Sequence, residues 1–390
     1  MKVCHIITRM IVGGAQENTL FSAIGLHEAG HETVLVTGPS PGPEGELLKQ
    51  SGELPFPVIV CEDLCREISP VHDWKAYRFL VDYFRREKFD VVHTHSSKAG
   101  IIGRYAARAA GVPAVVHTIH GLPFSYTLFP RWKNEMYVLM ERLAARKCDQ
   151  ILAVAQDMID QCLAHKIGRK EMFQVVYSGM DLTPFLSTEP DISLRRELNI
   201  PDGAPVVAAL ARLFHGKGCQ ELWQSIPEIL KRVPDAHFLM IGNGLLREQL
   251  EQEAREQGFF GHVSFAGLVP PVQVPRYLAL ADILVHFSRR EGLPRAAVQA
   301  LAMKKPVVAY DADGTREVVL DGETGYLIRD LKRTAPGVDE IAELLIDEEK
   351  RKQFGEAGQA LVNPRFDWHL MSDRLIQIYM ELLQQKTCQI

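Results

Sequence analysis

No run of eighteen or more consecutive apolar residues occurs in the 390-residue chain, which excludes an ordinary membrane-spanning helix. The opening stretch, MKVCHIITRMIVGG, is a short strand-like run ending in polar residues and glycine; it lacks the apolar core and small-residue cleavage site of a secretory signal. The cytoplasm is therefore the expected compartment. Cysteine is scarce and unframed: the 7 residues (4, 61, 65, 148, 162, 219 and 388) are odd in number and scattered, as in reduced thiols. Cys61 and Cys65 stand close, but no second Cys or Cys/His pair follows at zinc spacing, so no metal site is expected. Charge of one sign is also lacking. Residues 1–180 hold 20 Lys+Arg against 19 Asp+Glu and the remainder 24 against 30, so neither half carries the basic footprint of a nucleic-acid binder.

What is present is alternation. The runs KVCHIIT, HETVLVT, FPVIV, DVVHTH, PAVVHTIH and DQILAV are separated by helical segments, and APVVAALARL, AHFLMIG, HVSFAG, DILVHF and PVVAY repeat the pattern. Each series predicts a parallel sheet with helices on both faces, and a chain of this length exceeds one hydrophobic core. The expectation is an α/β protein of two doubly wound, Rossmann-like domains facing each other across a cleft, with 181–205 as the linker. That stretch holds prolines 184, 190, 201 and 205 around one short amphipathic piece.

Ligands of open parallel sheets lie beyond the carboxyl ends of the strands, so candidate residues are sought there. Gly13 and Gly14 precede a helix, where bare N–H groups and the helix dipole suit an anion; a purely structural turn explains them equally well. Arg212 and Lys217 bracket a glycine-containing loop in ALARLFHGKGCQEL and suggest phosphate. No G-x-x-x-x-G-K-[ST] sequence occurs, and GNGLLR ends in Arg247 where a dinucleotide fingerprint needs a small residue, so NTPase and dehydrogenase readings recede. Glu291 sits on the turn EGLP at a strand end, with Gln299 eight residues further along the following helix. His93 and His95 alternate onto one strand face, and they and His117 read as structural; His120, before Gly121 at a strand end, reads as a site residue. The stretch 122–147 interleaves Phe124, Tyr126, Phe129 and Trp132 with Arg131, Lys133, Arg142, Arg146 and Lys147, a composition that suits either an anionic lipid surface or a helix packed on its own domain.

The ordered set GGAQ, HTHSSKAG, VHTIHGLPF, SGMDLTPF, ARLFHGKG, FLMIGNG, VSFAGLV and EGLPRAAVQALAMKKPVVAYDADGTREVVLDGETGYL resembles the family 4 glycosyltransferases, retaining enzymes of the GT-B fold. The resemblance implies an acceptor-side domain over 1–185, a nucleotide-sugar donor domain over 186–365 and a C-terminal helix, 366–390, crossing back to the first. It implies that Arg212 and Lys217 hold the donor diphosphate, that Glu291 contacts the donor sugar and that His120 faces the reacting centre. Gly13, Gly14, Gly242, Gly244, Leu268, Gly292, Leu293 and Gln299 would bind the donor. Gln299 departs from the pattern, since family members often carry a second Glu there; an amide still accepts one hydrogen bond from a ribose hydroxyl.

The implied activity is metal-independent transfer, without a cofactor, from a UDP- or GDP-sugar to a glycoconjugate or lipid-linked acceptor in cell-surface polysaccharide biosynthesis. Peripheral contact with the inner membrane face and no nucleic-acid partner complete the expectation. A nucleotide-sugar epimerase of the same fold and an inactive nucleotide-sugar binder stand as alternatives, the latter because position 299 lacks an acid.

Overall fold

The computed structural model of the chain describes residues 1–40, 47–124 and 129–388. Two compact units emerge, one formed by Met1–Met180 with Phe366–Ile390 and the other by Asp181–Arg365.

In the first unit seven strands form one parallel sheet: β1 (Lys2–Ile7), β2 (Glu32–Thr37), β3 (Val58–Val60), β4 (Val91–His95), β5 (Ala114–Ile119), β6 (Gln150–Ala153) and β7 (Phe173–Val175). Their order is β3-β2-β1-β4-β5-β6-β7, which places a reversal of winding between β1 and β4. Such a switch point opens a crevice at the strands' carboxyl ends. The inner strands are buried on both faces, as in the run Val3–Ile7 of β1, which is why they read as near-continuous apolar stretches. The Trp368–Thr387 helix packs on the Gly14–Glu28 helix, an approach that needs Gly25: a Cβ there would lie 2.1 Å from Ser372 Oγ.

The second unit repeats the plan with six parallel strands: β8 (Val206–Leu210), β9 (His237–Ile241), β10 (Val263–Gly267), β11 (Ile283–His286), β12 (Val307–Tyr310) and β13 (Gly325–Ile328). The order β10-β9-β8-β11-β12-β13 puts its switch point between β8 and β11. Its core gathers around Trp223, whose Nε1–H donates to the Leu250 carbonyl at 2.9 Å, so that the buried indole leaves no polar atom unpaired.

Two expectations change. Strands β7 and β13 were not anticipated; both are short and lie at sheet edges, where partial exposure dilutes the apolar signal. Residues 181–205 are not a bare linker but part of the second unit, and the chain divides after Met180 instead of 185. Helices Thr183–Ser187 and Ile192–Glu197 occupy the stretch, and Asp191 both caps the latter and pairs with Arg276 at 2.6 Å, tying it to the sheet domain. Met180 marks the end of the first unit because its N–H donates to the Phe366 carbonyl at 2.9 Å.

Candidate functional site

In the second unit the chain leaves β8 into a loop, 211–218, that runs into the Cys219–Arg232 helix. Gly216 and Gly218 adopt φ of +80° and +86°, a left-handed region closed to most side chains. Gly218 presses its backbone against the end of β11, where a Cβ would stand 2.4 Å from the Phe287 carbonyl carbon. The loop's other side rests on Gly242 and Gly244, whose added Cβ atoms would meet the carbonyl oxygens of Ala211 at 2.0 Å and Leu213 at 2.3 Å. These two glycines therefore shape the backbone on either side of Arg212. The Arg289 amide donates to the Gly216 carbonyl at 3.2 Å, joining this loop to the one that follows β11.

That packing brings Lys217 to Glu291. Lys217 Nζ lies 2.7 Å from Glu291 Oε1, with side-chain exposures of 30% and 18%, so the pair is shielded from water and salt more than a surface bridge is. His286, buried at the end of β11, places Nε2 3.6 Å from the same oxygen, and the Glu291 amide donates to Asp313 Oδ2 at 2.9 Å. Burial alone would raise the Glu291 carboxyl, but the His286 imidazole and the Lys217 ammonium outweigh it and hold the group at about 2. At neutral pH Glu291 is thus an ionised hydrogen-bond acceptor in a fixed position.

Gly292 is half-buried and Leu293 buried as the chain turns into the Arg295–Ala302 helix. Gln299 is half-buried on that helix, between the buried Val298 and Ala300. Leu268 follows the edge strand β10, which β9 separates from β8, with 61% of its surface exposed. Arg212 is exposed, its guanidinium 5.8 Å from the Phe214 ring.

In the first unit, Gly13 caps the Gly14–Glu28 helix in extended conformation, and both glycines are half-buried at the carboxyl end of β1. Thr8 and Ser96 link the ends of β1 and β4 through a 2.7 Å contact of their hydroxyls, with Ser96 at φ +59°. Beside them lies a cavity of about 540 Å³ lined by Arg9, Arg66, Lys98, Ile101, Tyr137 and Met140 among others. A second, of about 260 Å³, shares Ser96 and Ser97 with it and is lined by His120. Behind His120 runs a line of imidazoles: His120 Nε2 meets His95 Nδ1 at 3.0 Å, and His95 Nε2 meets His5 Nδ1 at 3.0 Å. His93 is held separately by Tyr379 Oη at 2.5 Å and Thr118 Oγ1 at 2.7 Å, and His117 by Thr94 Oγ1 at 2.9 Å. Burial pushes His93, His95 and His117 well below the usual histidine range, and His5 down to about 3. Although His5, His93 and His95 bring nitrogens within 4.8 Å of one another, those nitrogens are largely taken up in these hydrogen bonds, so the cluster reads as a polar network and not as a metal cage.

Sequence reasoning missed His286, Asp313 and His5. His286 had a signal, since it ends the run DILVHF at a strand's carboxyl end shortly before Glu291; Asp313 and His5 enter only through sheet register. Tyr126 lies outside the described residues. No helix of the described residues is long and apolar enough to cross a membrane.

Comparison with known proteins decides the family. A family model for glycosyl transferases group 1 matches residues 191–361, and one for a glycosyl transferase 4-like domain matches 13–179. The chain belongs to the group 1 glycosyltransferases. It is similar to the UDP-Gal:alpha-D-GlcNAc-diphosphoundecaprenol alpha-1,3-galactosyltransferase of Escherichia coli, at 28% identity over 84% of each chain. It is also similar to the D-inositol 3-phosphate glycosyltransferase of Corynebacterium kroppenstedtii, at 26% identity over 96% of this chain and 86% of that one. Among solved structures, Anabaena Alr3699/HepE in complex with UDP superposes with a TM-score of 0.81 at 21% identity, covering 98% of this glycosyltransferase and all of the other chain. That likeness shows that both proteins share the GT-B fold.

Proposed function

We propose that this glycosyltransferase retains anomeric configuration, needs no metal or other cofactor, and moves a sugar from a UDP- or GDP-linked donor to a glycan or lipid-linked acceptor in cell-surface polysaccharide biosynthesis. The observation that carries the reading is the Lys217–Glu291 pair at the carboxyl ends of β8 and β11, 2.7 Å apart. A sugar leaving a nucleoside diphosphate builds negative charge on the β-phosphate while its anomeric carbon becomes cation-like. Lys217 and Arg212 supply positive charge for the first, without a metal, and the ionised Glu291 accepts hydrogen bonds from hydroxyls of the transferred sugar. Gln299 binds a ribose hydroxyl, and Gly292 and Leu293 shape the turn that carries Glu291.

Retention follows when the acceptor oxygen attacks the anomeric carbon on the face the phosphate leaves. The new C–O bond forms as the bond to the β-phosphate oxygen breaks; that oxygen takes the electron pair and then the acceptor's proton. Support for this route over a covalent glycosyl-enzyme comes from Glu291 itself, whose contacted oxygen is engaged by Lys217.

The first unit takes the acceptor; from that unit Gly13 and Gly14 offer backbone N–H groups to the donor's phosphates, and His120 faces the reacting centre. The unit's larger cavity mixes Arg9 and Arg66 with Ile101, Tyr137 and Met140, while its two carboxylates, Asp73 and Glu141, are paired with Lys98 and Arg104, a lining suited to a molecule with an anionic group and an apolar tail. Trp132, Leu139 and Leu143 are exposed on one helix beside Arg131 and Lys133, which supports peripheral contact with the cytoplasmic face of a membrane and is checked by co-sedimentation with anionic vesicles. The names of the relatives, one acting on a diphosphoundecaprenol-linked sugar, fit the same acceptor class.

A panel of UDP-, GDP- and ADP-sugars, read by thermal shift and by release of nucleoside diphosphate with and without EDTA, tests the proposal. One donor should stabilise the protein and be slowly hydrolysed, equally in EDTA. Conversion of the donor to an epimer would replace the reading by the epimerase, and binding with neither hydrolysis nor transfer would replace it by the inactive binder.

A further inference from the structure

We propose that Arg9 and Arg66 grip a diphosphate bridge in the acceptor, so that the acceptor is a sugar joined through a diphosphate to an apolar chain. The inference rests on the reading of the first unit as the acceptor side.

Charge points to the diphosphate. Among the described residues, Arg9, Arg66, Lys98, Asp73 and Glu141 are the charged side chains lining the larger cavity. Lys98, Asp73 and Glu141 are already balanced, because Lys98 Nζ stands 2.5 Å from Asp73 Oδ1 and the Arg104 guanidinium 2.7 Å from Glu141 Oε2. Arg9 and Arg66 make no ion pair or hydrogen bond among the described residues. The cavity is left with two uncompensated guanidiniums on separate segments, one directly after β1 and the other just before the Pro70–Glu87 helix. A diphosphate that bridges two carbon atoms bears one negative charge on each phosphoryl group, and a guanidinium fork matches one such group. A bridging monophosphate would leave one of the two cations unmatched. The same wall adds backbone donors: Ser97 and Lys98 open the Ser97–Ala110 helix, and first-turn amides have no acceptor within their own helix.

The remaining lining points to what the phosphates join. Ile101, Ile102 and Met140 make one part of the cavity apolar, and Ile68 both lines it and stands exposed at its mouth. Val71 and Trp74, exposed on the helix that follows, continue the apolar surface outward. An apolar chain would lie along that path. In the other direction the smaller cavity, which shares Ser96, Ser97 and Glu141 with the larger one, is lined by His120 and offers hydrogen-bonding groups to a sugar. Sugar towards His120, phosphates at the arginines and chain towards Ile68 is the order that the linings favour.

The test is calorimetric titration of geranyl diphosphate, geranyl monophosphate, geraniol and inorganic pyrophosphate onto the full chain and onto Arg9→Ala, Arg66→Ala and Lys217→Ala. Geranyl diphosphate should bind most tightly of the four. Each arginine substitution should weaken it by about tenfold or more, the scale of a lost charge-assisted hydrogen bond, with little change in Tm because neither side chain has a partner to lose. Lys217→Ala should bind it as wild type does. Equal affinity for geranyl monophosphate would overturn the diphosphate, and equal affinity for pyrophosphate would overturn the apolar chain. Absence of binding, unchanged affinity in both arginine variants, or its loss in Lys217→Ala would overturn the assignment of the site. No nucleotide-sugar is used, so failure of the donor panel and failure of this inference are separate results.

Discussion

Lys217 Nζ and Glu291 Oε1 stand 2.7 Å apart although 74 residues separate them in the chain. The contact exists because β8 and β11 are neighbours at the switch point and because Gly218 lets the loop after β8 touch Phe287. In the proposed reaction the pair does two things at once: it holds the carboxylate still for the sugar and places an ammonium where a phosphate would arrive.

The carboxylate's acidity gives a pH prediction. Glu291 is held at about 2 in the folded protein, against roughly 4.3 in an unfolded chain. A depressed folded value means that the stabilisation is fully present above the unfolded value and is lost as pH falls through the folded one. The difference in Tm between wild type and Glu291→Gln should therefore be constant from neutral pH down to about 4.5 and shrink below it. Across the same range kcat/KM should show no ionisation assignable to Glu291. A basic limb that disappears in Glu291→Gln would contradict the assignment.

Gln299 should act in binding alone. Gln299→Ala removes one neutral hydrogen bond to the donor ribose and should raise donor KM by the equivalent of roughly 0.5–1.5 kcal/mol with kcat little changed. Gln299→Glu should be tolerated, and Glu291→Ala should lower kcat heavily. Loss of kcat at saturating donor in Gln299→Ala would remove the ribose role.

Gly242 carries φ of +139°, and a Cβ there would lie 2.0 Å from the Ala211 carbonyl oxygen, so the backbone must move. Gly242→Ala should cost about 1–3 kcal/mol of stability in denaturant unfolding and weaken donor binding as well, since the displaced residues lead into Arg212. A variant as stable as wild type would show that the loop yields freely.

Most of both sheets was legible because parallel strands buried on two faces must be apolar and β-branched, as in KVCHII and HFLMI. The edge runs FQV and GYLI carry that signal weakly. The proline-rich 181–205 misled because proline reports local breaks and says nothing of Asp191 reaching Arg276 across 85 residues. At the site, Arg212, Lys217 and Glu291 stood out as charges on glycine-bearing loops after strands. The roles of His286 and Asp313 beside Glu291 need the register of β11 and β12, and the row from His5 to His120 needs the order of three strands. Gly242 and Gly244, beside the donor contact expected of them, meet a packing demand from the 211–213 backbone that only the folded chain reveals.

The most direct test is calorimetric titration of UDP and GDP onto wild type, Arg212→Ala and Lys217→Ala, followed by transfer rates with the matching donor sugar. One diphosphate should bind the wild type, each substitution should weaken it, and each should slow turnover by roughly 10²–10³-fold, the scale for losing one fixed partner of a developing negative charge. Equal affinity and near-normal kcat/KM in both variants would show that the diphosphate is held elsewhere, and the account of the site would fall.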